Sequence, residues 1–360
     1  MTCQYTVTFD SGTDPATARV GGKCAALMTM TDSGELVPPG FAVTADAFDA
    51  VFHGGGLHAE IGSLLDGFDP SDTADTETCA AEVRRLVTER PVPPRVATAV
   101  TAAYRLLGDA GDVPVAVRSS AGMEDLPAAS FAGQYDTYLW VRGADAVVDA
   151  VRRCWASLWT ARAIAYRAAN GLAEPGQTMG VGVQTMVDAR TAGVALTVNP
   201  LNGDRSKIVI DACWGLGGPL VSGEMTPDNY VVDKVLFVPV RTTVSRKHHE
   251  LVAAPDGRGL VRSAVEGARQ EVACLGPAEV TAVARLAKNV ERHYGCPQDI
   301  EWAIDRSPTA APDGGPRVLL LQARPETYWS RRPRTTAAVV PGAGVSSIAD
   351  TLLGLGRLPT

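Results

Sequence analysis

Short β-branched runs and helix-periodic stretches alternate along the whole chain, and this alternation limits the available folds more than any other feature. A helical bundle requires one period throughout, and a sandwich requires strand after strand. Neither pattern holds, so the sequence predicts a mixed α+β architecture. Strands are expected at 113–120, 179–188, 192–198, 206–213, 228–240, 298–305 and 317–323, with a helix at 277–293. Val148, Val151, Trp155 and Leu158 form one stripe at helical spacing, which predicts a single long helix over 145–170 closed by Gly171. The runs from Gly180 to Val187 and from Ala192 to Pro200 read as a buried hairpin.

At 360 residues, 46% of them hydrophobic, the chain holds enough apolar material for two or three cored domains. The expected organisation is a first lobe over 1–177, a second lobe over 178–329, and a tail or linker over 330–360 with one short helix near 346–354. Lys and Arg number 33 against 40 Asp and Glu, for a net charge of -7. That balance argues against a nucleic-acid partner, while a few local cations still suffice for a small anion. No apolar run reaches membrane-span length, and MTCQYTVTFD lacks the basic start and apolar core of an export signal. No membrane partner and a cytoplasmic location are therefore expected. Seven widely spaced cysteines without a C-x-x-C read as reduced structural thiols. Five histidines leave little material for a multi-histidine metal centre or a histidine-driven hydrolase.

Several stretches carry residues suited to phosphate chemistry. Gly21-Gly22-Lys23 opens a helical run and so gathers backbone N–H groups and a cation, as a phosphate cradle requires; a plain turn is the alternative. It is not a Walker loop, which would put glycine at Thr17 and a hydroxyl at Cys24. Arg118 stands near the end of a strand, where a guanidinium can grip phosphate oxygens bidentately or pair with Glu124 or Asp125. The stretch from Ser130 to Thr137 contains Gly133, which would let backbone approach a phosphate, or is an ordinary hairpin.

From Gln298 to Asp305, period-two alternation puts Asp299, Glu301 and Asp305 on one strand face and Ile300, Trp302 and Ile304 on the other. In the following run Gln322 and Arg324 share a face. Paired as a hairpin, the two runs bring together a carboxylate, a carboxamide and a guanidinium. That set suits Mg2+ and polyphosphate, and a solvated strand pair with a salt bridge is the alternative. Gln184 and Met186 suit an adenine slot, although core packing explains Met186 equally well. His53-Gly54-Gly55-Gly56 has no nucleophile elbow to accompany it and reads as a loop. Gly215-Leu216-Gly217-Gly218 falls short of a dinucleotide fingerprint, and His248-His249 reads as part of a solvated basic patch.

Taken in order, GGKCAAL, VPPGFAVTADAF, VAVRSSAGMEDLPAASFAGQYDTYL, CWASLWTARAIAYR, VQTMV, AGVALTVNP, WGLGGPLVSGEMTPDNYVV, DIEWAID and LLLQARPET resemble a known family. It is the ATP-binding domain shared by phosphoenolpyruvate synthase, pyruvate phosphate dikinase, rifampin phosphotransferase and the ATP-binding subunit of phenylphosphate synthase. The resemblance spans about residues 20–327 and implies a two-lobed, ATP-grasp-type nucleotide-binding fold that holds Mg-ATP between its lobes. It implies that Lys23, Arg118, Gly133 and Thr137 hold phosphates and that Gln184 lies by the adenine. Glu301 and Gln322 would then bind Mg2+ with Asp299 beside them, and Arg324 would reach the phosphates, so that Lys23, Arg118 and Arg324 form the catalytic cations.

The activity implied is that of a stand-alone ATP-binding subunit of a dikinase-type phosphotransferase. ATP is split to AMP and phosphate, and the β-phosphoryl group passes to a histidine. No histidine of this chain lies in a carrier context, so a separate swivelling phosphohistidine subunit or domain is expected as partner, serving a small-molecule acceptor such as a phenol. Cys24 where glycine is usual, and Gly218-Pro219 where Gly-Glu is frequent, depart from the family pattern. An ATP-grasp ligase releasing ADP and a non-catalytic nucleotide-binding module are the competing expectations.

Overall fold

The computed structural model describes residues 4–13, 16–54, 56–69, 72–108, 112–121, 135–170, 178–307 and 314–329, with backbone alone at 125–126 and 129–130. Gly133, Gly171 and the short helix expected near 346–354 lie outside the described residues. The first strands are β1 (Thr6–Thr8), β2 (Gly40–Val43), β3 (Val115–Ala121), the two-residue β4 (Asp125–Leu126) and β5 (Ala129–Ser130), β6 (Thr137–Val141) and β7 (Met179–Thr185). Then follow β8 (Ala189–Leu196), β9 (Lys207–Trp214), β10 (Asp228–Asp233), β11 (Pro239–Thr243), β12 (His249–Ala253), β13 (Leu260–Ala264), β14 (Gln298–Asp305) and β15 (Val318–Pro325). The helices are α1 (Thr17–Val20), α2 (Gly22–Asp32), α3 (Ala45–Phe52), α4 (Leu57–Leu65), α5 (Thr73–Glu89), α6 (Pro94–Arg105), α7 (Ala144–Ala156), α8 (Ala161–Ala169), α9 (Gly218–Val221) and α10 (Pro277–Tyr294).

Two antiparallel sheets organise the chain, one in the order β1-β2-β7-β3-β6 and one in the order β11-β10-β9-β8-β14-β15. The α+β expectation therefore holds. Val115, Val117, Val181 and Val183 face the first core, where α3, α5 and α7 contribute Phe48, Val83 and Trp155. In the second core Ile300, Trp302 and Ile304 meet Val280, Val283 and Ala287 of α10. The alternation expected of β14 is thus realised. Pro277 at the first helical position and Gly295 at φ 68 past the last residue bound α10 as proline and glycine bound helices generally.

Three expected elements differ. The hairpin of 180–187 with 192–200 does not form, because β7 is hydrogen-bonded between β2 and β3 while β8 lies between β9 and β14. Met186, Val187 and Asp188 carry the chain from one sheet to the other, so a strand expected in the second lobe belongs to the first sheet. Almost every residue of β7 is buried, and a run apolar on both faces does not reveal which partner it takes. The helix expected over 145–170 is two helices separated by a 3-10 turn at Ser157–Trp159. Thr160 leaves the helical region at ψ 150, and its hydroxyl accepts from the Ala163 N–H at 3.2 Å, capping α8 in a new direction. The run expected over 228–240 is likewise a β10–β11 hairpin.

Helix α2 has no single apolar face. Cys24, Leu27 and Met28 pack with Val7, Phe9 and Val20, whereas Met30 enters the second core. Its N-terminus lies close on the first sheet: a Cβ at Gly21, which has φ +79, would overlap the Ser120 carbonyl, and one at Gly180 would overlap that of Val20. Only glycine allows this approach, which sets the helix start beside the end of β3.

Candidate functional site

A cleft of about 710 Å³ opens between the two sheets. Alternation along β3 sends Val115 and Val117 into the first core and turns Ala116 and Arg118 to the cleft. Arg118 stands opposite Thr137 of β6 and Gly182 of β7, and Ala116 stands opposite Gln184. Arg118, Thr137 and Gln184 therefore share one sheet face and line the cleft. Lys23 joins them from the first turn of α2, which the Ser120 hydroxyl holds by accepting from the Cys24 N–H at 3.0 Å.

The opposite wall comes from the β14–β15 hairpin. Glu301 pairs in register with Gln322, and Asp299 pairs with Arg324. Glu301, Gln322 and Arg324 line the cleft; Asp299 lies behind Arg324, whose Nε and Nη2 donate to its Oδ2 at 2.9 and 2.7 Å. Burial raises the Asp299 carboxyl above the ordinary range, and the Arg324 charge opposes that rise. Asp305, on the same alternating face, instead accepts from the Ser307 N–H at 2.7 Å. Thus Lys23, Arg118, Thr137, Gln184, Glu301, Gln322 and Arg324 come together, with Asp299 one step back, and Gly133 lies outside the described residues.

The two walls touch. Arg118 Nη1 donates to Glu301 Oε2 at 3.0 Å, the side chains being 19% and 25% exposed. The pairing of Arg118 with Glu124 or Asp125 concerns side chains outside the described residues. Met186 lines the cleft and packs with Leu216 and Leu321. Arg162, from the first turn of α8, also lines the cleft and was not singled out from sequence. Reading 145–170 as one helix hid it; the Thr160 cap two residues earlier was the available signal.

Gln184 is 3% exposed, and its Nε2, like Arg118 Nε, has no hydrogen-bond partner among the described residues. Buried donors of this kind suit acceptor oxygens or ring nitrogens. Among the described residues no three His, Cys, Asp or Glu side chains cluster as a metal site. A carboxylate beside a carboxamide fits a Mg2+ that completes its shell with phosphate oxygens and water. Four cations, Lys23, Arg118, Arg162 and Arg324, line a cleft that holds the Glu301 carboxylate.

Fold and cleft together define a two-sheet α+β protein whose cleft gathers four cations and a carboxylate. Comparison with known proteins gives the family: residues 17–340 match the model described as pyruvate phosphate dikinase, AMP/ATP-binding domain, and the chain belongs to that family. The resemblance read from the motifs is thereby confirmed. The chain is 41% identical over 349 residues to phosphoenolpyruvate synthase of Aeropyrum pernix, a match covering 89% of this chain and 42% of that protein. Probable phosphoenolpyruvate synthases of Staphylothermus marinus and Methanothermobacter thermautotrophicus are 40% and 41% identical, across 99% and 91% of this chain and 46% and 47% of theirs. This chain spans about half the length of these curated relatives. Among the described residues no helix is long and apolar enough to cross a membrane.

Proposed function

We propose that the chain is the ATP-binding part of a dikinase-type phosphotransferase, with an ATP-grasp-type pair of lobes closing on Mg-ATP. The observation that carries this reading is the meeting, in one cleft, of Lys23, Arg118 and Gln184 from the first sheet side with Glu301, Gln322 and Arg324 from the second. Membership of an AMP/ATP-binding family supports it.

In this reading Gln184 donates to the adenine, and Lys23, Arg118, Thr137 and Arg324 hold the phosphates, with Gly133 as a further backbone contact. Glu301 and Gln322 hold Mg2+, and Asp299 supports that wall with Oδ2 engaged by Arg324. Bound Mg2+ would withdraw charge from phosphate oxygens. The three cations Lys23, Arg118 and Arg324 offset negative charge as the phosphoryl group moves, the main lever in such transfers. The β-phosphoryl group then goes to a histidine nitrogen of a separate swivelling subunit or domain, with the α–β bond broken to release AMP and the β–γ bond broken by water to release the γ-phosphate as inorganic phosphate; the phosphohistidine serves a small acceptor such as a phenol.

The test mixes the chain with labelled ATP, Mg2+ and a separate histidine domain, and follows AMP and protein-bound phosphate. AMP should form only with both proteins present, and Arg324→Ala should slow it at least about a hundredfold. ADP with an amide product would identify a ligase instead. Tight ATP binding without AMP would identify a non-catalytic module.

A further inference from the structure

Trp140 sits in the left-handed region at φ 60, a conformation bulky residues rarely adopt. It lies within β6, where the β3–β6 register slips between Val115 and Val117. Such a slip bends a strand and re-aims a side chain. Here the indole reaches the second half of the chain: Trp140 Nε1 donates to the Gly257 carbonyl at 3.3 Å. Arg142 Nη1 donates to the same carbonyl at 3.2 Å, while its Nη2 donates to the Asp112 backbone oxygen at 2.9 Å. One exposed turn is thus held by two donors of the first lobe.

Gly257 belongs to the connection between β12 and β13, which form a two-stranded sheet of their own. The turn is closed by Gly257 N–H to Ala254 O at 2.8 Å and Ala254 N–H to Gly259 O at 3.0 Å. Glycine at 257 meets two needs, since its φ is +68 and a Cβ would stand 3.0 Å from Arg142 Nη1. The base of the hairpin is fixed to the second lobe, where Leu216 N–H donates to Leu251 O at 2.9 Å and Gly215 bridges Leu251. Leu251, Leu260 and Trp140 pack with Met186, Leu216 and Leu321, and the last three line the cleft. The hairpin therefore joins the two sides of the cleft, bonded to Leu216 at one end and to Trp140 and Arg142 at the other, and packs with residues that line it. Strain at Trp140, offset by these contacts, is the mark of a site where geometry is imposed rather than relaxed.

We propose that the β12–β13 hairpin is a strap across the cleft mouth, latched through the Gly257 carbonyl, whose release sets how fast nucleotide enters and leaves. The proposal rests on the nucleotide reading above. Its test uses the full chain as wild type, Trp140→Phe, Arg142→Met and the double variant. Trp140→Phe keeps the ring and removes the donor. In the double variant, amide exchange across 251–260 should accelerate at least about fivefold even without nucleotide, and a fluorescent ATP analogue bound with Mg2+ should dissociate at least about fivefold faster. Each single variant should fall between, which keeps the test readable if the double variant folds poorly. Unchanged exchange overturns the strap, and faster exchange with unchanged dissociation overturns its control of the cleft. A wild-type chain that binds no Mg-ATP sinks the nucleotide reading instead, and the exchange experiment still decides whether the turn is latched.

Discussion

Arg118 and Glu301 are assigned to different ligands, a phosphate and a metal ion, yet in the structure each is the other's partner at 3.0 Å. Three-quarters or more of each side chain is withdrawn from water, so the pair is desolvated enough to matter. For ATP without a metal, Glu301 is a competitor: its carboxylate occupies the guanidinium and repels phosphate. On the proposed reading, a metal held by Glu301 would remove both effects at once and so couple Mg2+ to nucleotide binding. Glu301→Gln keeps the shape and discards the charge. In EDTA this variant should bind ATP at least about fivefold more tightly than wild type, whereas the wild type should gain far more from added Mg2+. Calorimetric titration reads both affinities, and a variant that binds metal-free ATP no better than wild type would refute the competition.

Helix α2 owes its position to glycines on the sheet beneath it. Gly180 has no positive φ, so its need for glycine is purely one of space under the Val20 carbonyl. Gly62, inside α4, has open space within 4 Å of where a methyl group would stand. The two glycines should therefore respond oppositely to alanine: a loss of about 1–3 kcal/mol at Gly180 from overpacking, and a gain of about 0.5–1 kcal/mol at Gly62 from helix propensity. Urea denaturation measures both, and losses of equal size would show that close approach is not what places the helix. Legibility from sequence follows the same logic. The faces of the β14–β15 pair were readable because polar and apolar residues alternate in both strands, whereas the register that sets Glu301 opposite Gln322 was not, since twelve residues separate the strands and the ladder shifts between Glu301 and Trp302. Strand β7 was misplaced because it is buried on both faces, and the 145–170 helix was over-extended because its apolar stripe runs through the Thr160 cap. The cleft residues were legible as separate chemical fragments. Contact between Arg118 and Glu301, 183 residues apart, and the entry of Arg162 depend on how the sheets meet, which no local pattern encodes.

At the scale of the whole molecule, the first residues of the chain tie the halves together. Helix α2 begins against the first sheet, yet Met30 is fully buried in the second core, and the Leu320 N–H donates to Leu36 O at 2.8 Å. Val37 packs against both the second core and the α2 cluster. A segment shared in this way makes each core's packing depend on the other, so the two cores should lose structure together rather than in sequence. Met30→Ala is the direct test, because it opens space in the second core from a residue carried by the first-lobe helix. Its cost should be about 2–5 kcal/mol, as for buried methionine elsewhere. Hydrogen exchange in rising urea separates the outcomes, with α7 reporting on the first core and α10 on the second. Joint loss of protection in both helices, at lower urea than in wild type, is the expected result. Loss confined to α10, with α7 protected as in wild type, would mean that α2 merely rests on the second lobe, and the cleft would then have to be held together by its own ion pair and the strap.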